Sequence, residues 1–398
     1  MEGLIIVPIS QVAATQRAGR AGRTMAGKCF RLYSSASYAS LLEETIPEIQ
    51  RSNLVNSILY LKVLGISNVL AFDYIDRPDD DTILNALSQL FCLGALDSDG
   101  KVTNIGKVMA GYPVNPSLAK TIITASTLQC LTPVLDMVAM LSTEAVWKSS
   151  NDDKVLDARL ELYHVLGDHF TLGTLLQKYK RAKKSFRNAR EERHWMEQYA
   201  VNGRGLKLAG KIVTQLQDMV KKNTGGRRHG MENQKEVKEG SREWENNIVE
   251  SFASGFFMHA ATRGSVSSSM YRVYGESEYQ VLHLHPTCCL PEVRNTLPSH
   301  VLYHEMLQTS KRFMRNVLQV PVEMITKYRI TCTELHQLYR LSDQKLNTSH
   351  ETKEGAEETI IESKKNEKRN GNKKTIVTLD ALEEARIRYL NRKRQKKE

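Results

Sequence analysis

Eight residues near the start of the chain, Gln16 to Arg23, read QRAGRAGR. Arg17, Arg20 and Arg23 recur at every third position, with only alanine and glycine between them. In a helix, Gln16, Arg20 and Arg23 stand at i, i+4 and i+7 and share one face. Arg17 points roughly 100° away from them. Each glycine costs a helix about 1 kcal/mol relative to alanine. Two of them so close together indicate that another backbone or a ligand must approach closely. Guanidinium forks match phosphate oxygens bidentately. One reading is therefore a phosphate sensor reaching across a cleft; the other is a solvated, basic helix end.

A phosphate sensor needs a phosphate site. The backbone cradle G-x-x-x-x-G-K-[ST] is the usual one. The nearest string is GKVTNIGKV, Gly100 to Val108, which has five residues between its glycines and Val108 where the hydroxyl belongs. No Asp-Glu dipeptide occurs in the 398 residues, so an acidic magnesium motif of that kind is missing too.

The length allows several domains, and 41% hydrophobic residues allow sizeable cores. A formal net charge of +11 favours a polyanionic partner, nucleic acid ahead of membrane. Part of that excess lies in a polar tail. Cys29, Cys92, Cys130, Cys288, Cys289 and Cys332 form no C-x-x-C pair. They are expected to be reduced, mostly core thiols of an intracellular protein. MEGLIIVPIS lacks a basic n-region and is not a signal peptide. No apolar run is long enough to span a membrane.

The elements that must position the arginines read as strand (LIIVPIS), helix, strand (KCFRLY) and short helix. From Thr45, Ile49, Leu54, Ile58 and Leu61 recur at helical spacing. A second helix follows, with Asp81 as cap and Ile83, Leu87, Leu90 and Phe91 inward. ALDSDGKVT reads as strand, turn, strand. Helix, helix and hairpin make a winged-helix pattern. Amphipathic helices follow to about residue 222. GDHFTLGTLLQKY begins one of them, with Asp168 a candidate cap. His169 has no conjugate base or metal-ligand partner in sequence reach and is expected to be structural. Lys178 to Trp195 is rich in Lys and Arg. It is either a face for nucleic-acid backbone or a solvated face with i, i+4 ion pairs. Residues 223–243 read as a loop. IVESFASGFFMHAA is an apolar helix, and YRVYGESEYQVLHLHP, HVLYHEML and RFMRNVLQV are strands of a small barrel. His283, His285, His300 and His304 have no cysteine or carboxylate at a standard ligand spacing, so no metal site is expected. Residues 343–374 read as a disordered linker. Residues 375–398 read as a basic helix ending in NRKRQKK, either a nuclear localisation signal or nucleic-acid arm, or a solvated helix end.

The string PISQVAATQRAGRAGRTMAGKCFRLYS resembles motif VI of the DEAH-box RNA helicases of superfamily 2. IPEIQRSNL, GDHFTL, LHP, SKRFMR and the terminal EEARIRYLNRK are similar to strings of the same family. The resemblance implies a mixed α/β, mostly helical multidomain fold. Residues 1–44 would be a remnant of the second RecA-like domain, 45–110 a winged helix and 111–222 a helical bundle, or ratchet. Residues 223–243 would be a linker and 244–342 an OB-like β-barrel. The first RecA-like domain and most of the second would be absent. Gln16, Arg20 and Arg23 would contact ATP phosphates, with Arg20 as arginine finger and Arg23 beside it on the γ-phosphate. His285, Pro286, Thr309, Ser310, Lys311 and Arg315 would line the RNA side of the barrel. Family members usually carry serine after His-Pro; this chain has HPTCC, so no hydroxyl role is carried over to Cys288 or Cys289. ATP and Mg2+ would be used by the complete enzyme and neither by this chain alone. Expected partners are RNA, a glycine-rich (G-patch) activator and spliceosomal or other ribonucleoprotein components, in the nucleus and away from membranes. The alternative is a truncated, non-catalytic RNA-binding or adaptor protein.

Overall fold

The computed structural model describes residues 7–329, apart from residues 145, 151, 224–236, 266–267 and 276–279. The expected linker at 343–374 and the basic helix at 375–398 lie outside these residues.

The first helix, α1, runs Gln11–Arg20, and Ser10 caps it by accepting the Ala13 amide. It is held to the chain that follows it: the Gln11 and Val12 amides donate to the Leu42 and Glu43 carbonyls at 2.8 and 3.1 Å. Arg20 is its last residue, so the expected i, i+4, i+7 face stops short and Arg23 lies in the turn beyond. The strand expected over KCFRLY does not form. Strands need a ladder partner, and those among the described residues all belong to one barrel further along the chain. Phe30 and Leu32 are correspondingly 81% and 98% exposed. A short α2, Ser35–Ala39, follows.

The helix expected from Thr45 begins only at Val55. Pro47 leads into a single tight turn, Glu48–Gln50, and α3 is Val55–Val63. Asn53 restarts the helix by accepting the Val55 amide at 2.7 Å, so Ile49 is not part of it. Helix α4 spans Asp80–Cys92, with Asp79 rather than Asp81 in the cap position. Asp80 and Asp81 instead place charge in the first turn, where it meets the helix dipole. The expected hairpin after α4 is reduced to one bridge, Leu96 to Val102, around a turn that Asp97 organises by accepting the Asp99 and Lys101 amides. Helix α5, Asn104–Ala110, is capped by Thr103.

The bundle comprises α6 (Pro116–Thr127), α7 (Leu131–Leu141), α8 (Asp153–Leu160), α9 (Asp168–Lys183), α10 (Ala189–Gln198) and α11 (Gly203–Asn223). Pro116 opens α6, where a missing N–H costs nothing. Every residue of α7 from Pro133 to Leu141 is buried, which makes it the central helix. Helix α12, Arg242–Phe256, crosses α6 at Gly255, where a Cβ would run into the Ser117 carbonyl. One continuous core joins α3 through α12 and takes in Leu302, Leu318 and Val320.

The barrel closes in the order β1-β2-β3-β5-β4, from β1 (Ala260–Arg263), β2 (Met270–Val273), β3 (Val281–Leu284), β4 (His300–Gln308) and β5 (Arg312–Gln319). The β3–β5 pair is parallel and the others antiparallel. A short α13, Leu290–Val293, links β3 to β4. Residues 322–329 are helical. Val301, Tyr303 and Val317 point into the barrel while Leu302 and Leu318 face the helical core. Further along, Met306 and Met314 also point inward, so the alternation changes parity around the Glu305–Arg315 pair. Asn316 has φ +53 at that point, a left-handed conformation uncommon outside glycine.

Of the cysteines, Cys29, Cys130, Cys288 and Cys289 are free, the latter three buried. Cys92 is disulfide-bonded, which corrects the expectation of reduced thiols at that position. No described helix is long and apolar enough to cross a membrane.

Candidate nucleotide and nucleic-acid surfaces

Helix α1 buries Ala14 and presents Gln16, Arg17 and Arg20 to solvent; Arg23 is exposed as well. A Cβ at Gly19 or Gly22 would meet nothing within 4 Å. The close approach those glycines permit is thus not used within the described residues. What the segment offers is a cationic surface with a bare backbone, docked from one side only.

The barrel residues expected to meet nucleic acid divide into two groups. Thr309, Ser310 and Lys311 form the exposed tip of the β4–β5 hairpin, where the Thr309 amide donates to the Lys311 carbonyl at 2.9 Å. Arg315 is four residues along β5, about 13 Å away at the rise of a strand. Its Nη1 lies 2.8 Å from Glu305 Oε1, on the directly opposite residue of β4. This partner was legible in the sequence: a hairpin centred on Ser310 pairs positions equally distant from it.

Arg315 and Asn316, with Thr287 and Glu305, form one wall of a cleft of about 290 Å³. Leu141, Trp147 and Leu172 form the other wall. Trp147 is held in place by the Arg159 guanidinium 4.8 Å over its ring and by the edge of Tyr163. Arg159 in turn donates to the carbonyls of Lys148, Tyr199 and Ala200. His285 adjoins this wall. Its Nδ1 lies 2.8 Å from Thr287 Oγ1 and 3.2 Å from the Thr287 amide nitrogen. Burial and the Arg315 charge hold its pKa below the ordinary histidine value.

Asp168 does not cap α9. Gly167 occupies the cap position at φ +116, and a Cβ there would collide with the Val317 carbonyl. The Asp168 carboxylate crosses to the barrel, accepting the Cys289 amide at 2.8 Å and the Val317 amide at 2.7 Å. Burial pushes its pKa up, and the amide donors oppose that. Cys288 and Cys289 are buried, and Cys289 lies 3.3 Å from Thr171 Oγ1, so their side chains serve the junction and not a ligand surface. Neither this latch nor its partners were evident from sequence spacing, because they lie more than a hundred residues apart.

His169 is buried against Phe252, with ring centroids 4.6 Å apart, as befits a structural residue. Two lysines at the start of the basic stretch are engaged within the fold, Lys178 with Glu161 at 2.9 Å and Lys180 with Asp136 at 2.5 Å. Glu192 takes Lys207 and the Tyr179 hydroxyl. These ion pairs join different elements rather than residues four apart on one helix, so the expected i, i+4 pattern is not what holds Lys178 and Lys180.

A winged-helix unit, a helical bundle and a closed five-stranded barrel in this order define a helicase-associated assembly. Residues 86–114 match the winged-helix part of the helicase associated domain (HA2), and residues 115–203 its ratchet-like part. Residues 248–328 match the oligonucleotide/oligosaccharide-binding (OB) fold. The chain is 33% identical over 351 residues to the pre-mRNA-splicing factor ATP-dependent RNA helicase prp22 of Schizosaccharomyces pombe. That match covers 87% of this chain and 28% of the relative. These matches support a likeness to the C-terminal region of a DEAH-box helicase, and the chain spans less than a third of the length of the relative it matches.

Proposed function

We propose that the chain is the RNA-gripping, phosphate-sensing portion of an ATP-dependent RNA helicase that acts in pre-mRNA splicing. One observation carries this reading: QRAGRAGR stands exposed at the end of a docked helix and in the residues just after it, ahead of the winged-helix, ratchet-like and OB units. The domain limits proposed are 1–44, 45–110, 111–222 and 244–342, with a linker at 223–243.

Gln16, Arg20 and Arg23 are the residues proposed to meet ATP. They suit the role, since exposed guanidinium groups beside glycines with open space around them admit a polyphosphate. ATP with Mg2+ supplies the phosphoryl group and most of the charge neutralisation. Arg20 then adds positive charge where negative charge grows in the transition state, an effect typically worth about 10³ to 10⁵ in rate. RNA is taken by the barrel: Thr309, Ser310 and Lys311 at the hairpin tip, His285 and Arg315 at the cleft. Spliceosomal proteins and a glycine-rich (G-patch) activator are the proposed protein partners, and the nucleus is the proposed compartment. A fluorescent fusion of residues 375–398 that stays uniformly cytoplasmic, as does the tagged full chain, would remove the nuclear assignment.

A second reading is a non-catalytic RNA-binding or adaptor protein. Phosphate release separates the two. The purified chain should release none, with or without single-stranded RNA. Joined to RecA-like domains that carry the P-loop and DEAH motif, it should turn over ATP in an RNA-stimulated way, and Arg20→Ala should abolish that turnover while sparing RNA affinity. Turnover in the joined protein that is indifferent to Arg20→Ala would sink the arginine-finger role. A joined protein with full RNA affinity and no turnover would favour the adaptor.

A further inference from the structure

Arg315 is the only one of the two cationic residues proposed for RNA in the barrel that already holds a carboxylate. Among the described residues no acid pairs with Lys311, whereas Glu305 Oε1 lies 2.8 Å from Arg315 Nη1. The pair is built in by register, since Glu305 and Arg315 are Cα partners across β4 and β5. The two side chains are 35% and 21% exposed, at the mouth of the cleft between barrel and bundle. Charges partly withdrawn from water attract more strongly than on an open surface and are less screened by salt. A carboxylate and a phosphate oxygen ask for the same guanidinium donors.

Resting on the RNA-binding reading above, we propose that Glu305 is a built-in competitor for the phosphate seat of Arg315. An RNA backbone phosphate entering the cleft must displace the Glu305 carboxylate, and the carboxylate returns when the phosphate leaves. Phosphates at the hairpin tip face no such competitor. The strand is therefore held more weakly at the cleft than its charge would give, and that register is the one most readily vacated. Glu305 acts through Arg315 and is a positioning residue, touching no reacting atom.

The experiment is fluorescence anisotropy of the purified 398-residue chain with a labelled single-stranded RNA 12-mer, repeated across a salt series. Glu305→Gln keeps the side-chain length and an oxygen that can face Arg315 while removing the competing charge. It should tighten binding by about 3- to 10-fold, the scale of a partly exposed ion pair. It should also steepen the salt dependence by less than about 0.7, the increment for one whole phosphate on a single strand, as the seat goes from partly to fully occupied. Arg315→Ala should weaken binding and flatten the slope, and adding Glu305→Gln to it should then change nothing. Glu305→Met serves as the second charge-removing variant should the glutamine lower the melting temperature. If Glu305→Gln binds like the parent while Arg315→Ala weakens binding, the competitor role is wrong and the RNA reading stands. An equal gain from Glu305→Gln with and without Arg315 would reduce the effect to general charge and likewise overturn it. If neither variant changes affinity or slope, RNA does not use this site, and the RNA reading of the cleft falls with the proposal.

Discussion

The carboxylate of Asp168, the first residue of α9, accepts the backbone amide of Val317, in the middle of β5, at 2.7 Å. The same carboxylate accepts the Cys289 amide at 2.8 Å. A helix of the bundle and two segments of the barrel thus share one buried anion, and the wall that carries Arg315 is fixed two residues from it. Removing the acceptor leaves two buried N–H groups without partners. At about 1–3 kcal/mol for each such group, Asp168→Ala should destabilise the chain by several kcal/mol. Asp168→Asn keeps one acceptor oxygen and should lose less. Urea denaturation midpoints measure both; an Asp168→Ala midpoint equal to the parent's would show that the latch contributes nothing.

Acid should loosen the same junction. His169, His259 and His304 are fully buried, and burial pushes their pKa values down to about 3, 4 and 4 respectively. The His169 and His304 charges also oppose each other. An unfolded histidine titrates near 6.5. The stabilisation from keeping these rings neutral is therefore complete above pH 6.5, falls as the unfolded chain takes up protons below it, and is lost by the folded values. Between pH 7.5 and 5.5 the three together cost up to about 4 kcal/mol. Urea unfolding at the two pH values checks this, and a stability unchanged across that window would contradict it.

At the hairpin tip, Lys311→Ala should weaken RNA binding with no loss of stability, because its side chain is exposed and carries no structural contact beyond its own turn. The salt slope should fall by about 0.7 for the lost phosphate contact. An unchanged slope would make Lys311 a bystander.

Glycine substitutions distinguish packing from ligand approach. Gly255→Ala should destabilise by about 1–3 kcal/mol, since the new methyl meets the Ser117 carbonyl of α6. Gly19→Ala meets open space and should stabilise α1 by up to about 1 kcal/mol. In a complete ATP-hydrolysing enzyme the same Gly19→Ala should slow turnover if ATP approaches that backbone. A neutral effect there would leave Gly19 without a purpose in phosphate binding.

Local chemistry explains what was legible in the sequence. Ile58, Ile83, Leu90 and Phe91 recur at helical spacing and are all buried, because the face of a helix is set by neighbours one turn away. The basic tip and the Glu305–Arg315 pair follow from one hairpin's symmetry. The motif in QRAGRAGR is likewise local. Tertiary structure decided everything that needed a distant partner. KCFRLY has the pattern of a strand and finds no ladder. Lys178 and Lys180 read as a basic face and are tied to Glu161 and Asp136. Asp168 reads as a helix cap and becomes a latch, because the amides it satisfies lie 121 and 149 residues further along the chain. A buried carboxylate goes where unpaired donors are, and only the packed molecule brings those donors to it.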